Sequence, residues 1–304
     1  MKLETTALAP RIASIFICIL IHLQPLDAQG TYTHGQLEMH RYPTSIKGPV
    51  SKKLYVYLPA DYHRNDKAYP VVYFLHGAKG NERSWIEKGK ILEIIDSLTL
   101  CREITECIYV FPNTNKYYHD YDYISLNPKG SIESFMNLNG SAEYSFINDV
   151  MTYVDNNFRT LPSMKYRAIA GLSLGGLQAL YISANSISSF GYIGLFSPII
   201  YPPLNTGKYS AIYKDIENKL VRQSALSPSL YLVMIGEDDP FYRSAYLYSE
   251  LLRSLNIRHN FIRTPGAHTW ENWSDYSIIF LKSLWKENLH TSATKVDCRV
   301  SSMD

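Results

Sequence analysis

The stretch Arg167-Ala168-Ile169-Ala170-Gly171-Leu172-Ser173-Leu174-Gly175-Gly176 decides how the rest of the chain is read. Residues suited to a buried strand, Arg167 to Ala170, run into a serine flanked by glycines, and a helical pattern from Leu174 to Ile182 follows at once. A strand that turns straight into a helix around one serine holds that serine in a strained backbone conformation. The turn closes only if the residues two before and two after it are small, as Gly171 and Gly175 are. Such a turn lifts the Ser173 hydroxyl above the sheet and aims the helix amino terminus at it, so the Leu174 amide is placed to receive negative charge. This is the layout of a nucleophile elbow, which makes Ser173 the candidate nucleophile.

Outward from the elbow, strand and helix patterns alternate. Upstream, Leu54, Val56 and Leu58 alternate as in a half-buried strand, Val71 to Leu75 form a continuous apolar run, and Ile91 to Leu98 repeat at helical spacing. Cys107 to Phe111 read as another buried strand closed by Pro112, and Phe146 to Phe158 as a helix. Downstream come strands at Tyr192 to Phe196 and Tyr231 to Ile235, then a helix around Leu247, Leu251, Leu252 and Leu255. A strand at His259 to Ile262 and a closing helix through Ile278 to Trp285 complete the series. Parallel strands need crossovers, and crossover helices cover both sheet faces; the pattern therefore predicts an α/β fold, a doubly wound, mostly parallel sheet with helices on both faces. Nothing divides the run, so one domain is expected over residues 29–290, after a leader at 1–28 and before a tail at 291–304. Asn113 to Ser141 and Ser197 to Pro228 interrupt the alternation just after strands, where doubly wound sheets bind ligands. Both are expected to wall the substrate.

Composition narrows the function. With 46% hydrophobic and 19% charged residues the chain is too apolar for disorder and too polar for a multispan membrane protein. Thirty Lys plus Arg against 28 Asp plus Glu leave a formal charge of +2, which supplies no field for gathering nucleic acid. Lys2 and Arg11 precede a short apolar run, Ile12 to Leu23, that ends near Leu26, Asp27 and Ala28. This reads as a secretory signal peptide cleaved after Ala28, too short to span a bilayer, so a secreted or periplasmic protein without stable membrane insertion is expected. Cys18 follows Phe16 and Ile17 rather than small residues and is not read as a lipidation site. Cys101, Cys107 and Cys298 remain; Cys101 and Cys107 either close a small disulfide loop or stay as buried thiols. No HExxH, spaced Cys/His set or phosphate-binding glycine loop is present, so neither metal nor cofactor is expected.

A serine hydroxyl needs a base, and an elbow fold orders the partners as Ser, then Asp or Glu, then His. The strand at Tyr231 to Ile235 ends in Gly236-Glu237-Asp238-Asp239, where Asp239 is the first choice, Asp238 the second and Glu237 the third. The last predicted strand is followed by Pro265-Gly266-Ala267-His268, and His268 is the candidate base. His34 and His40 precede the first predicted strand, His63 and His119 lie in polar loops, and His259 falls within a strand. A second donor to the oxyanion belongs in the loop His76-Gly77-Ala78-Lys79-Gly80, with the Ala78 amide in that role and His76 fixing the loop. Tyr117, Tyr118, Tyr121 and Tyr123 could stack on a sugar or a phenolic acyl group, or equally shield their own loop. Trp270 and Trp273 are read as anchoring the histidine loop on the final helix.

LHGAKGNERSW, VFPNT, RAIAGLSLGG, YIGLFS, IGEDDP and GAHTWENW, spread from Leu54 to Trp285, resemble the secreted esterase family of the α/β-hydrolase fold. That group includes bacterial feruloyl esterases, formylglutathione hydrolases, siderophore esterases and mycolyltransferases. The feruloyl esterase modules are the most similar by eye. The resemblance implies Ser173 as nucleophile, Asp239 as acid and His268 as base, the same positions that chain order selects. The stretch between Pro112 and Ala142 is longer here than in those relatives, so their acyl and sugar pockets do not transfer. The expectation is an exported serine carboxylesterase acting on feruloyl or acetyl esters of carbohydrate, with a small-molecule or oligosaccharide ester as partner. Its rivals are a siderophore esterase or acyltransferase with the same triad, and a carbohydrate-binding protein on a decayed esterase scaffold.

Overall fold

The alternating pattern assembles into one eight-stranded sheet in the computed structural model, which describes residues 34–45, 51–115, 140–200 and 210–286. The expected leader, the tail at 291–304, Cys298, and Tyr117, Tyr118, Tyr121 and Tyr123 lie outside the described residues. The strands are β1 (Gln36–Pro43), β2 (Ser51–Leu58), β3 (Val71–Leu75), β4 (Ile108–Pro112), β5 (Arg167–Leu172), β6 (Tyr192–Phe196), β7 (Leu230–Gly236) and β8 (Asn260–Thr264). Their order across the sheet is β1-β2-β4-β3-β5-β6-β7-β8. β1 and β2 pair antiparallel, as do β2 and β4, and every pairing from β4 to β8 is parallel.

Side chains alternate between the two sides of each strand, and here both sides are covered. Val71, Tyr73 and Leu75 of β3 face one core with Phe146, Val150, Val154, Leu177 and Leu252. Val72 and Phe74 face the other with Trp85, Ile91, Trp273 and Phe280. That two-sided burial is why β3 reads as an unbroken apolar run. The helices supplying the cover are α1 (Ser84–Glu87), α2 (Ile91–Leu100), α3 (Ser141–Ser145), α4 (Met151–Asn157), α5 (Leu174–Asn185), α6 (Ile216–Ala225), α7 (Tyr242–Ser254) and α8 (Trp270–Ser283). A π-helical turn at Phe146–Val150 joins α3 to α4. Among the described residues no helix is long and apolar enough to cross a membrane.

The structure differs from the sequence reading in several places. β1 forms ahead of the first strand read from the sequence, so His40 lies within a strand. Only Tyr42 of β1 is buried, as suits an open sheet edge, and its apolar alternation is too faint to read. α6 forms inside the segment 197–228 that was expected to break the alternation; it buries only Leu220 and Gln223, which thins its amphipathic signal. His259 stands just before β8, with its ring on the Ser249 hydroxyl at 2.8 Å, and the closing helix stops at Ser283. No disulfide joins Cys101 to Cys107.

Strand order also locates a crevice. From β3 the chain moves outward to β4, then returns to place β5 on the other flank of β3. The connections leaving β3 and β5 therefore diverge at the carboxyl ends of the strands, the geometry in which doubly wound sheets open a ligand site. His76 and Gly77 follow β3 there, and Ser173 follows β5.

α3, which follows the first interrupting segment, meets a helical turn at Ala211–Tyr213 within the second, away from solvent. The Tyr213 hydroxyl donates to Glu143 Oε1 at 2.8 Å, and both side chains are buried. Burial raises the Glu143 carboxyl to about 7, with the Tyr213 hydrogen bond opposing that rise. The folded state therefore holds this proton more tightly than the unfolded chain. Its contribution to stability is most favourable below the ordinary carboxyl value of about 4.5 and is lost as pH climbs through about 7. Glu143→Gln should raise Tm at pH 8 and leave it nearly unchanged near pH 4, as read from thermal melts at the two pH values.

Candidate active site

Close packing around the elbow dictates its glycines. A Cβ built on Gly171 would lie 2.2 Å from the Gly175 carbonyl oxygen, and one on Gly175 would lie 2.5 Å from that of His76. Any side chain at either position would push α5 off the strands. Between them Ser173 has φ 56° and ψ −117°, a conformation costing on the order of 1–3 kcal/mol. Surrounding bonds hold it there: the Ser173 amide donates to Phe196 O at 2.8 Å, and its carbonyl accepts from Gly176, Leu177 and Ile199 at 3.1, 3.3 and 3.2 Å.

The hydroxyl meets a row of partners. Ser173 Oγ lies 2.9 Å from His268 Nε2, and His268 Nδ1 lies 2.8 Å from Asp239 Oδ2. The second Asp239 oxygen, Oδ1, accepts the Phe241 amide at 2.9 Å. The Asp239 side chain is fully buried while that of His268 is 23% exposed, so the carboxylate is sealed and the imidazole stays reachable. Glu237 and Asp238 stay exposed on the same turn. With Asp239 as acceptor, Nδ1 carries the ring proton and Nε2 is left free to take the serine proton. Phe241 and Trp273 set their rings edge-on to the imidazole at centroid distances of 5.0 and 4.8 Å and limit its rotation.

The loops carrying Asp239 and His268 are built as a pair. A Cβ on Gly236 would fall 2.1 Å from the Gly266 carbonyl oxygen, and Gly266 itself has a φ of +95°, open to glycine at little strain. Backbone bonds tie the loops: Glu237 N donates to Thr264 O at 2.8 Å and Asp238 N to Gly266 O at 3.1 Å. Asn272, on the inward side of α8, braces the histidine loop from below. Its Nδ2 reaches Pro265 O at 2.9 Å, the Tyr276 hydroxyl at 3.0 Å and Thr264 Oγ1 at 3.2 Å. Trp270 packs edge-on against Trp85 at 5.4 Å and against Trp273 at 5.2 Å, and Trp273 supports the ring of His268. Sequence reasoning named neither Asn272 nor Phe241. The findable signal was a polar residue one helical turn before buried Tyr276, an inward position that needs hydrogen-bond partners.

Two amides border the serine. Leu174 opens α5, and its N–H falls among the first donors of that helix. Gly77 packs so close that a Cβ there would sit 3.2 Å from that of Ser173, which brings the Gly77–Ala78 peptide alongside the hydroxyl. Among the described residues neither the Ala78 nor the Leu174 amide donates to a backbone carbonyl. His76 Nδ1 lies 2.8 Å from Gly77 O, and the Thr114 amide lies 3.1 Å from His76 Nε2. Burial drives the His76 ring down to about 4, so it is neutral and serves its own loop. Among the described residues no three His, Cys, Asp or Glu side chains gather as a metal site would need.

A family model described as "Putative esterase", the Esterase family, matches residues 49–279. An endo-1,4-beta-xylanase/feruloyl esterase of Xylanibacter ruminicola is 32% identical over 176 residues, covering 56% of this chain and 22% of the relative. Endo-1,4-beta-xylanase Y of Acetivibrio thermocellus is 26% identical over 264 residues, covering 78% of this chain and 22% of the relative. The chain thus spans about a fifth of the length of these curated relatives. A ferulic acid esterase of Anaeromyces mucronatus, solved with ferulic acid, superposes with a TM-score of 0.67 at 22% identity, covering 87% of this chain and 98% of that one. That likeness makes the fold an α/β-hydrolase.

Replacing Asn272 by Leu removes the brace, taking a donor from the Pro265 carbonyl and from the hydroxyl of buried Tyr276. The expected cost is about 1–3 kcal/mol, a fall in Tm of about 2–10 °C. Turnover should fall by about tenfold or more as the imidazole loosens, measured as kcat on an aryl acetate beside a thermal melt.

Proposed function

Since the chain belongs to the Esterase family, we propose that it is an exported serine carboxylesterase that hydrolyses feruloyl or acetyl esters on carbohydrate through an acyl-enzyme. The observation that carries this reading is the hydrogen-bonded row Ser173–His268–Asp239, with contacts of 2.9 and 2.8 Å. In this mechanism Ser173 Oγ attacks the ester carbonyl carbon while His268 Nε2 takes its proton. Asp239 keeps Nδ1–H aligned and stabilises the imidazolium that forms. The carbonyl electron pair moves onto oxygen, which accepts hydrogen bonds from the amides of Ala78 and Leu174. Collapse of this intermediate breaks the ester C–O bond, and the departing alcohol takes the proton from His268. Water then attacks the acyl-serine with His268 again as base, and the carboxylic acid leaves.

The substrate assignment draws on chemistry and on kinship. Both curated relatives carry xylanase names, one together with feruloyl esterase, and the Anaeromyces enzyme was solved with ferulic acid. Tyr117, Tyr118, Tyr121 and Tyr123 are assigned to the acyl or sugar wall because phenol rings stack on both. Export rests on the signal-like run at 12–23. The intact row speaks against a decayed scaffold, which would have no use for a sealed carboxylate behind an accessible imidazole.

An aryl phosphonate should label Ser173 alone, and Ser173→Ala should lose turnover by about three orders of magnitude or more. Labelling at another residue, or full turnover in Ser173→Ala, overturns the mechanism. Methyl ferulate, acetylated xylan and a catecholate siderophore, compared by kcat/KM, should rank with the siderophore last. With a sugar acceptor added, free acid should form faster than new ester; the reverse would make the protein a transferase.

A further inference from the structure

A buried polar network lies beside the serine, and the mechanism above makes no use of it. Lys52 of β2 is 1% exposed, and its Nζ donates to Asn113 O at 3.3 Å and to Asn115 O. Those two residues flank Thr114. Asn113 is pinned further by its Nδ2 on Glu82 Oε2 at 2.7 Å, and Asn115 by its Nδ2 on Gly80 O at 2.8 Å. The segment after β4 is thereby stitched to the far end of the loop that follows β3.

Thr114 presents its amide and its hydroxyl to His76 Nε2 at 3.1 and 3.2 Å. An N–H can only donate, so Nε2 must be bare; Gly77 O can only accept, so Nδ1 must carry the proton. One neutral tautomer satisfies both contacts. Burial is the main cause of that neutrality, and the nearby Lys52 charge presses the same way, against the Gly77 bond. The Gly77 carbonyl, held by His76 and by the Gly80 amide at 3.1 Å, cannot swing. In a trans peptide the N–H points opposite to the C=O, so fixing the Gly77 oxygen also fixes the direction of the Ala78 N–H.

We infer that Lys52 and Thr114 are positioning residues for the oxyanion hole, acting through His76 on the Gly77–Ala78 peptide. The inference rests on the serine esterase reading and goes beyond it, since it names what preorganises a donor rather than the donor itself. Preorganised donors act on the charged intermediate and little on the bound ester, so the loss must fall on kcat and leave KM in place.

The test uses the full-length protein with an aryl acetate as substrate and phenylboronic acid as inhibitor, since boron forms a tetrahedral anion on the serine. Lys52→Met should lower kcat about 10- to 100-fold, keep KM within about twofold, and weaken boronate binding by the same factor as kcat. His76→Ala should lose about 100-fold or more, and adding Lys52→Met to it should cost little further, because both act along one path. His76→Asn, whose amide nitrogen can stand where Nδ1 stands, should recover about tenfold over His76→Ala. Thr114→Val keeps both the buried charge and the backbone donor, and should show the same paired shift in kcat and boronate affinity at about two- to tenfold, even where Lys52→Met fails to fold. Multiplicative losses for Lys52→Met and His76→Ala, or a fall in kcat with boronate binding unchanged, would overturn the inference. Wild-type protein that neither turns over esters nor reacts at Ser173 would instead sink the esterase reading beneath it.

Discussion

The close approach of the first turn of α5 to the ends of β3 and β5 is the constraint on which the rest of the structure depends. The space at Gly171 and Gly175 admits no side chain, and the backbone of Ser173 is held where few residues go. Because the helix starts there, its first amide, the serine oxygen and the Gly77 peptide come within reach of one another. The strain is local, and a wide base absorbs it: the parallel strands β4 to β8, two buried faces and a carbonyl bonded three times over at Ser173.

The rest of the site follows from strand ends. Five groups of the site stand just past the carboxyl end of a parallel strand: Gly77 after β3, Thr114 after β4, Ser173 after β5, Asp239 after β7 and His268 after β8. The sheet fixes their spacing, and the loops supply the chemistry. Accessibility peaks at the middle of the row: the imidazole is partly exposed, while the carboxylate behind it is sealed and Ser173 is buried.

Much of this was legible in the residues themselves. Tyr192–Phe196 and Val71–Leu75 form strands over the limits read from the sequence, because burial on both faces leaves no polar residue to blur them. Ser173, Asp239 and His268 were readable because elbow chemistry demands a fixed chain order and each follows a strand. β1 and α6 were not, since an open edge and a thinly buried helix keep polar residues on most positions. The supporting shell was the least legible. Phe241, Thr114 and Lys52 act through contacts with residues distant in the chain, and a lysine in a strand reads as solvated until the fold buries it. No spacing rule announces such partners. Only the folded molecule shows that Lys52 and Asn113 meet across 61 positions.

The order of the parts along the chain has a bearing on biosynthesis. Serine and base stand 95 positions apart, and the base follows the last strand of the sheet. A nascent chain emerging amino end first can complete its elbow while β8 and α8 are still inside the ribosome, and at that stage it has no general base to awaken the alcohol. On the proposed mechanism, ester cleavage begins only when the carboxyl-terminal strand has docked. Partly made or truncated chains would be chemically mute toward the esters of the cell that makes them.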